Sequence, residues 1–295
     1  MDLNHYLKQK KKSVDNFLKK YIASRKKQKD CPKQLCDAMG YSLMAGGKRV
    51  RPILAIASYE AVGGKSDNII PVAASIELIH TYSLIHDDLP AMDNDDFRRN
   101  RPTAHKVFGE ATAILAGDAL LTDAFHLISG SGVKPEKLIR VIHELSRASG
   151  PEGMVGGQTA DIIFESKKAK KEDISYIHTH KTGALIRASV RIGAIIADSP
   201  PGRLSSLTRY AEKTGLAFQV IDDILDITGT KEELGKPTGS DHAKGKNTYP
   251  SVFGLKKSEK IAEQLIKESV QALDDFDSKA DPLREIAKYI LSRRN

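Results

Sequence analysis

The chain has 295 residues, 40% of them hydrophobic and 28% charged, a composition suited to a globular protein with a sizeable core. Its 46 basic and 38 acidic side chains leave a formal charge of +8, which favours anionic ligands or surfaces without choosing among phosphate, membrane and nucleic acid. The start of the chain has no apolar secretory stretch, and no run reads as the ~18 apolar residues of a membrane span. Two cysteines, Cys31 and Cys36, make neither a disulfide framework nor a zinc cluster, so free thiols in a cytoplasmic protein are expected.

Residues 4–29 read as an amphipathic helix, with Val14, Phe17, Leu18, Tyr21 and Ile22 on one stripe and lysines over much of the rest. Such a basic helix can meet a membrane or nucleic acid, or simply be solvated. Pro32 opens a second helix that runs to Gly46-Gly47. In the following Lys48-Arg49-Val50-Arg51, Lys48 and Arg51 are three apart and can turn to one side, as a phosphate would require. An ordinary basic helix start fits the same string. Residues 69–89 form a long apolar helix carrying His80, seven residues before Asp87 and on roughly its face. Pro90 should stop that helix and bring Asp93 back toward Asp87.

Helices are expected at 104–128 and 134–149, a tight helix junction at 153–164, and a charged loop at 165–173. A long helix then holds Lys181 and Thr182 and runs to Pro200-Pro201, and another spans 203–229. A Gly/Lys-rich loop follows, with Lys236 and Lys246, of the kind that covers a phosphate, and two helices close the chain at about 256–276 and 280–293. No strand array or repeat is evident. The fold class is therefore all-α, a single domain over 1–295 arranged as a helical bundle around a central cavity.

The chemistry concentrates in two aspartate-rich stretches. His86-Asp87-Asp88-Leu89-Pro90-Ala91-Met92-Asp93 and Asp222-Asp223-Ile224-Leu225-Asp226 each end an apolar segment, where unpaired carboxylates are costly. Asp222 and Asp226 share a helix face, and hard carboxylate oxygens suit Mg²⁺, which divides its sites among protein, water and substrate phosphate. Two walls of a diphosphate–magnesium site are one reading; two solvated acidic helix ends are the other. Arg98 and Arg99, close to the first cluster, would either neutralise it or grip the phosphates that the metal bridges.

From about Leu35 onward, the segments GGKRVRP, DDLPAMD, RRNRPT, GGQTAD, HKTGAL, FQVIDD, DDILD, GKPTGSD and GKNTYP stand in the order in which the trans-isoprenyl diphosphate synthases carry them. Any one is weak, but together the chain resembles that polyprenyl synthetase family, and most of all its bacterial members that stop at fifteen carbons. Asn94 and Asn100-Arg101 depart from the common Asp and Gly-Lys. The resemblance implies that Asp87, Asp93 and Asp222 bind Mg²⁺, supported by Asp88, Asp223 and Asp226, with three ions when substrate is present. It also implies that Arg98, Lys181, Lys236 and Lys246 hold the allylic diphosphate, while Lys48, Arg51, His80 and Arg99 hold isopentenyl diphosphate. Thr182 and Gln219 would face the allylic cation. Tyr82, beside the small Ser83, would set product length. The implied reaction is condensation of isopentenyl diphosphate with dimethylallyl and geranyl diphosphate to farnesyl diphosphate, with a geranylgeranyl diphosphate synthase or a non-catalytic subunit of the same fold as the alternatives. A homodimer without nucleic acid or stable membrane insertion is the implied assembly.

Overall fold

The computed structural model describes residues 1–165, 167, 169–229 and 247–292. These residues are almost wholly helical, as expected for an all-α chain, and they form two compact units.

One unit comprises Asp2–Ile56 and Ser66–Ile142. Its first helix, α1 (Leu3–Lys27), starts where the Asp2 carboxylate accepts the His5 N–H at 3.1 Å, and it ends on Arg25, Lys26 and Lys27, cations that suit a helix C-terminus. The next helices are α2 (Lys33–Leu43), α3 (Val50–Ala61, which passes into the other unit) and α4 (Ile69–Asp87). Of these, α3 was not foreseen. α4 is apolar on every side and accordingly buried on every side, packed on α1, α2 and α6 (Glu110–Ser129). α4 and α6 each contain a window of mean hydropathy 1.3, so two helices do reach the length and composition of a membrane span. The α4 window is 67% buried and is a core helix; that of α6 is only 33% buried.

The stretch expected to be one helix from 104 is broken into α5 (Ala104–Phe108) and α6 by Gly109, whose φ of 84° an L residue would adopt only under strain. Cys31 and Cys36 are not free thiols: the turn through Pro32 into α2 brings their Cα atoms to 6.6 Å, and a disulfide joins them.

The other unit comprises Ala57–Lys65 and the chain from His143 onward. It receives the end of α7 (Pro135–Ser149) and continues with α8 (Met154–Phe164), α9 (Lys171–Ile177), a π-helical turn (His178–Gly183), α10 (Ala184–Ile196) and α11 (Pro201–Thr228). After residues 230–246 come α12 (Tyr249–Phe253), α13 (Leu255–Gln271), a short 3₁₀ turn at Ser278–Ala280 and α14 (Asp281–Ser292). α11 is the axis of this unit, with α10, α13, α14 and the π turn packed on it. Tyr210, fully buried in α11, donates its hydroxyl to the Leu283 carbonyl at 2.7 Å and so ties α14 down.

Candidate active site

In the first unit, α4 stops at Asp87, three residues before Pro90. The chain then folds back: Met92 N–H donates to Leu89 O, and Asn94, at φ 51°, donates to the same carbonyl. Asp93 N–H reaches Asp87 O at 2.9 Å, which is the return that the proline implied. Asp87 and Asp93 are both partly exposed, whereas Asp88 is buried. Arg98 grips Asp88 Oδ1 through Nε at 2.7 Å and Nη2 at 2.6 Å. Burial nevertheless pushes the Asp88 carboxyl above its ordinary range, against the pull of Arg98. Asp88 therefore anchors an arginine.

That arginine belongs to a tight hairpin. Phe97 pairs with Pro102 and Arg98 with Arg101, and the two connecting residues, Arg99 and Asn100, both have positive φ, 52° and 59°. Asn100 thus stands where a residue tolerant of the left-handed region is needed. Thr103 locks the base of the hairpin, its hydroxyl donating to Asp95 O at 2.9 Å. The turn projects Arg99 onto the Gly46-Gly47 backbone, where its Nη1 donates to Gly46 O. Gly47 has a φ of 115°, which an L side chain adopts only under strain, so a glycine is required there. On α3 and α4, Arg51 Nη1 lies 3.4 Å from His80 Nε2. Burial, and then the arginines around it, push His80 well below the imidazole range, so it is neutral and Nε2 accepts from Arg51. Lys48 is exposed at the start of the same segment. A cavity here is lined by Tyr41, Thr81, Asp88, Arg98, Arg99 and Thr103.

Arg49, between Lys48 and Arg51, is buried and does something different. It donates to Asp15 at 2.9 Å, Glu77 at 2.6 Å and Leu43 O at 2.8 Å. It compensates the one acid in the core of α4.

Tyr82 is also on α4, 6% exposed, with its ring edge-on to His86 at 5.7 Å between centroids. Burial, with Asp87 adding to it, pushes the phenol up to about 12. Ser83 beside it spends its hydroxyl on His80 O.

In the second unit, the π turn interrupts the long helix expected through residue 195 and holds both Lys181 and Thr182; such turns recur at functional sites. Two glycines let the backbones close on it. A Cβ on Gly157 would fall 2.1 Å from Lys181 N, and one on Gly215 3.3 Å from Gly183 Cα. This is also why 154–164 is a helix and not the expected junction: its glycines serve packing. Lys181 Nζ is paired with Asp161 at 2.5 Å. The Thr182 hydroxyl donates to Gln219 Oε1 at 2.9 Å, and Gln219 Nε2 donates to Asp223 Oδ1 at 3.0 Å. The other Asp223 oxygen accepts Tyr249 N–H at 2.9 Å and lies 3.5 Å from His178 Nε2. His178 stacks on Tyr249, and burial lowers its pKa to about 4, so no ion pair forms there.

Asp222 is partly exposed, and Asp226 is buried one turn on, on the same face of α11. The hard oxygens of Asp87 and Asp93 in one unit, and of Asp222 and Asp226 in the other, are the donor type that Mg²⁺ takes, although among the described residues no three such groups are drawn together into a metal cluster. Asp88 and Asp223 are engaged by protein donors. Lys236 and Lys246 lie outside the described residues. Asp161, His178, Arg49 and Tyr249 were not anticipated, and nothing in the sequence pairs Asp161 with Lys181.

Known proteins resemble this chain in sequence, and solved structures resemble it in fold. The polyprenyl synthetase family model matches residues 32–289. The farnesyl diphosphate synthase of Geobacillus stearothermophilus is 44% identical, over 99% of this chain and 98% of its own. A chloroplastic geranylgeranyl pyrophosphate synthase of Capsicum annuum is 46% identical, over 98% of this chain and 78% of its own. The apo crystal structure of an FPP/GFPP synthase from Zymomonas mobilis superposes with a TM-score of 0.88 at 36% identity, covering 98% of this chain and 99% of that one. With a match that spans both aspartate clusters and the cations around them, the chain belongs to the polyprenyl synthetase family.

Proposed function

We propose that this trans-prenyl diphosphate synthase joins isopentenyl diphosphate to dimethylallyl and then geranyl diphosphate in Mg²⁺-dependent 1'-4 condensations, releasing diphosphate and stopping at farnesyl diphosphate. Mg²⁺, held at Asp87 and Asp93 and, separately, at Asp222 and Asp226, would offset the charge that develops on the departing diphosphate. The chain's own cations extend that role. Arg98 is oriented by Asp88, and Lys181 by Asp161, so each meets an anion with little reorganisation. Lys236 and Lys246 belong to the same proposal. In the Thr182–Gln219–Asp223 relay each donor is committed to the next acceptor, which leaves lone pairs of the Thr182 oxygen to face an allylic cation. Lys48, Arg51 and Arg99 would bind isopentenyl diphosphate, with neutral His80 positioning Arg51. Released diphosphate takes the final proton, so no protein base is needed.

Overall identity does not choose the product, since relatives of both names match to a similar degree. The observation that carries the fifteen-carbon reading is Tyr82, a buried ring little more than one turn before Asp87 on α4. A growing chain that extends along α4 would meet it. Tyr82→Ala is expected to lengthen the product to twenty carbons or more, together with some loss of stability from the space created. Chromatography of the dephosphorylated products reads this directly; a folded, active variant still making only fifteen carbons would place the floor elsewhere.

The homodimer belongs to the same proposal. Its support is the outer face of α6, where Ile114 and Leu115 are 43% and 57% exposed, with Ile139 of α7 at 70%. Leu115→Glu is expected to shift the protein from dimer to monomer in light scattering, and an unchanged mass would exclude this face.

A further inference from the structure

The formal charge of the whole protein resides in α1. Leu3–Lys27 holds nine lysines and arginines against one acid, Asp15, a net +8. The remainder of the chain is balanced, 37 basic against 37 acidic: 46 less nine, and 38 less one. None of the site residues lies on this helix, and the family match begins only at residue 32.

The inner side of α1 is accounted for. Val14, Leu18, Tyr21 and Ile22 are buried. Asp15 is taken by Arg49 and Lys11, Arg25 by Asp123, and Lys26 by Asp37. Lys8, Lys12, Lys19, Lys20 and Lys27 all point outward and are exposed. Lys8, Lys12 and Lys19 lie within about 40° of one another around the axis, Lys20 and Lys27 follow on the adjoining row, and the set spans about 28 Å. Like charges at this spacing repel one another, so the face gains most when an extended anionic surface meets it.

We propose that the outer face of α1 seats the protein reversibly on anionic lipid bilayers. Because the apolar stripe of the helix is spent inside the protein, the attachment is electrostatic, without insertion. The exposed residues of α1 include no Phe, Tyr, Trp or Arg, the side chains that stack on bases or read them, which favours a lipid surface over nucleic acid. The proposal rests on the prenyl-synthase reading for one point only: a product with a diphosphate head and a long prenyl tail partitions into a bilayer.

The test needs no turnover, so it stands apart from the fate of that reading. The full chain is sedimented with phosphatidylcholine vesicles, with or without about 30% phosphatidylglycerol, at about 50 to 300 mM salt, in parallel with binding to polyuridylate. Expected are binding only to the anionic vesicles, a steep loss with salt, and weaker retention on the RNA. Each lysine at such a surface is worth about five-fold in partitioning. Lys8→Gln, Lys12→Gln, Lys19→Gln and Lys20→Gln combined should therefore cut binding by about a hundredfold or more, while helix content and activity in solution are unchanged, glutamine being a good helix former. No vesicle binding, equal binding to neutral vesicles, an undiminished quadruple variant or tighter binding to the RNA would each overturn the proposal.

Discussion

Asp87→Ala and Asp222→Ala are each expected to lower kcat by at least a hundredfold to a thousandfold, the usual cost of removing one preorganised group from a developing charge. Their effect on stability should be small by comparison. Both side chains are partly exposed, so groups that lose them can turn to water, and the cost should stay near about 1 kcal/mol or below. Loss of rate with little loss of melting temperature is the signature of residues held for chemistry. Asp223→Ala should behave differently. It strands the Gln219 amide and the Tyr249 N–H in a buried place, at about 1–3 kcal/mol, and it loosens Thr182 at the same time. The Mg²⁺ dependence of the rate separates the two kinds of aspartate. Asp222→Ala should raise the half-saturating Mg²⁺ concentration, whereas Asp223→Ala should lower kcat at little changed Mg²⁺ requirement. Near-wild-type condensation by Asp87→Ala or Asp222→Ala would sink the metal assignment.

The distinction between neighbouring aspartates marks where the sequence stops being informative. Helix periodicity placed α1, α2, α4, α7, α11 and α13 because each has a local cause: a cap, a proline or an apolar stripe. The return of Asp93 to Asp87 was legible for the same reason, since Pro90 forbids the unbroken helix that would separate them. By contrast, Asp87 and Asp88 look alike in the string, and only the hairpin that carries Arg98 decides which of them is buried against that arginine. Gly156-Gly157 suggested a break, because the backbone of Lys181 that presses against Gly157 comes from a distant segment. The partner of Lys181 was hidden likewise: Asp161 is twenty residues away, and the π turn that brings the two together has no local signature. The disulfide is equally silent in the string: two cysteines make no framework of bridges, yet a single turn through Pro32 is enough to join them.

Arg49 is the sharpest case, and it carries the largest expected effect on stability. Within Lys48-Arg49-Val50-Arg51 nothing in the string separates a structural arginine from substrate-binding cations. In the folded chain Arg49 is 2% exposed and Glu77 2% exposed, and the backbone holds Arg49 at φ 53°, a strained position that its three hydrogen-bonded partners over-determine. Arg49→Met keeps volume but leaves the Glu77 carboxylate buried without its cation, and breaking such a pair costs about 3–5 kcal/mol. Asp15 contributes little to that figure, because it is partly exposed and water replaces the lost donor. Pairing the change with Glu77→Leu removes the orphaned charge and is expected to recover much of the loss, since an apolar pair of similar volume is often as stable as a buried ion pair. A double-mutant cycle by chemical denaturation measures both terms. If Arg49→Met alone unfolds at the wild-type denaturant concentration, or if the double variant is no better than the single, then Glu77 is not what Arg49 is there to neutralise. In the expected outcome the recovered double variant also tests the site: with Lys48, Arg51 and Arg99 still in place, its condensation rate should return along with its stability.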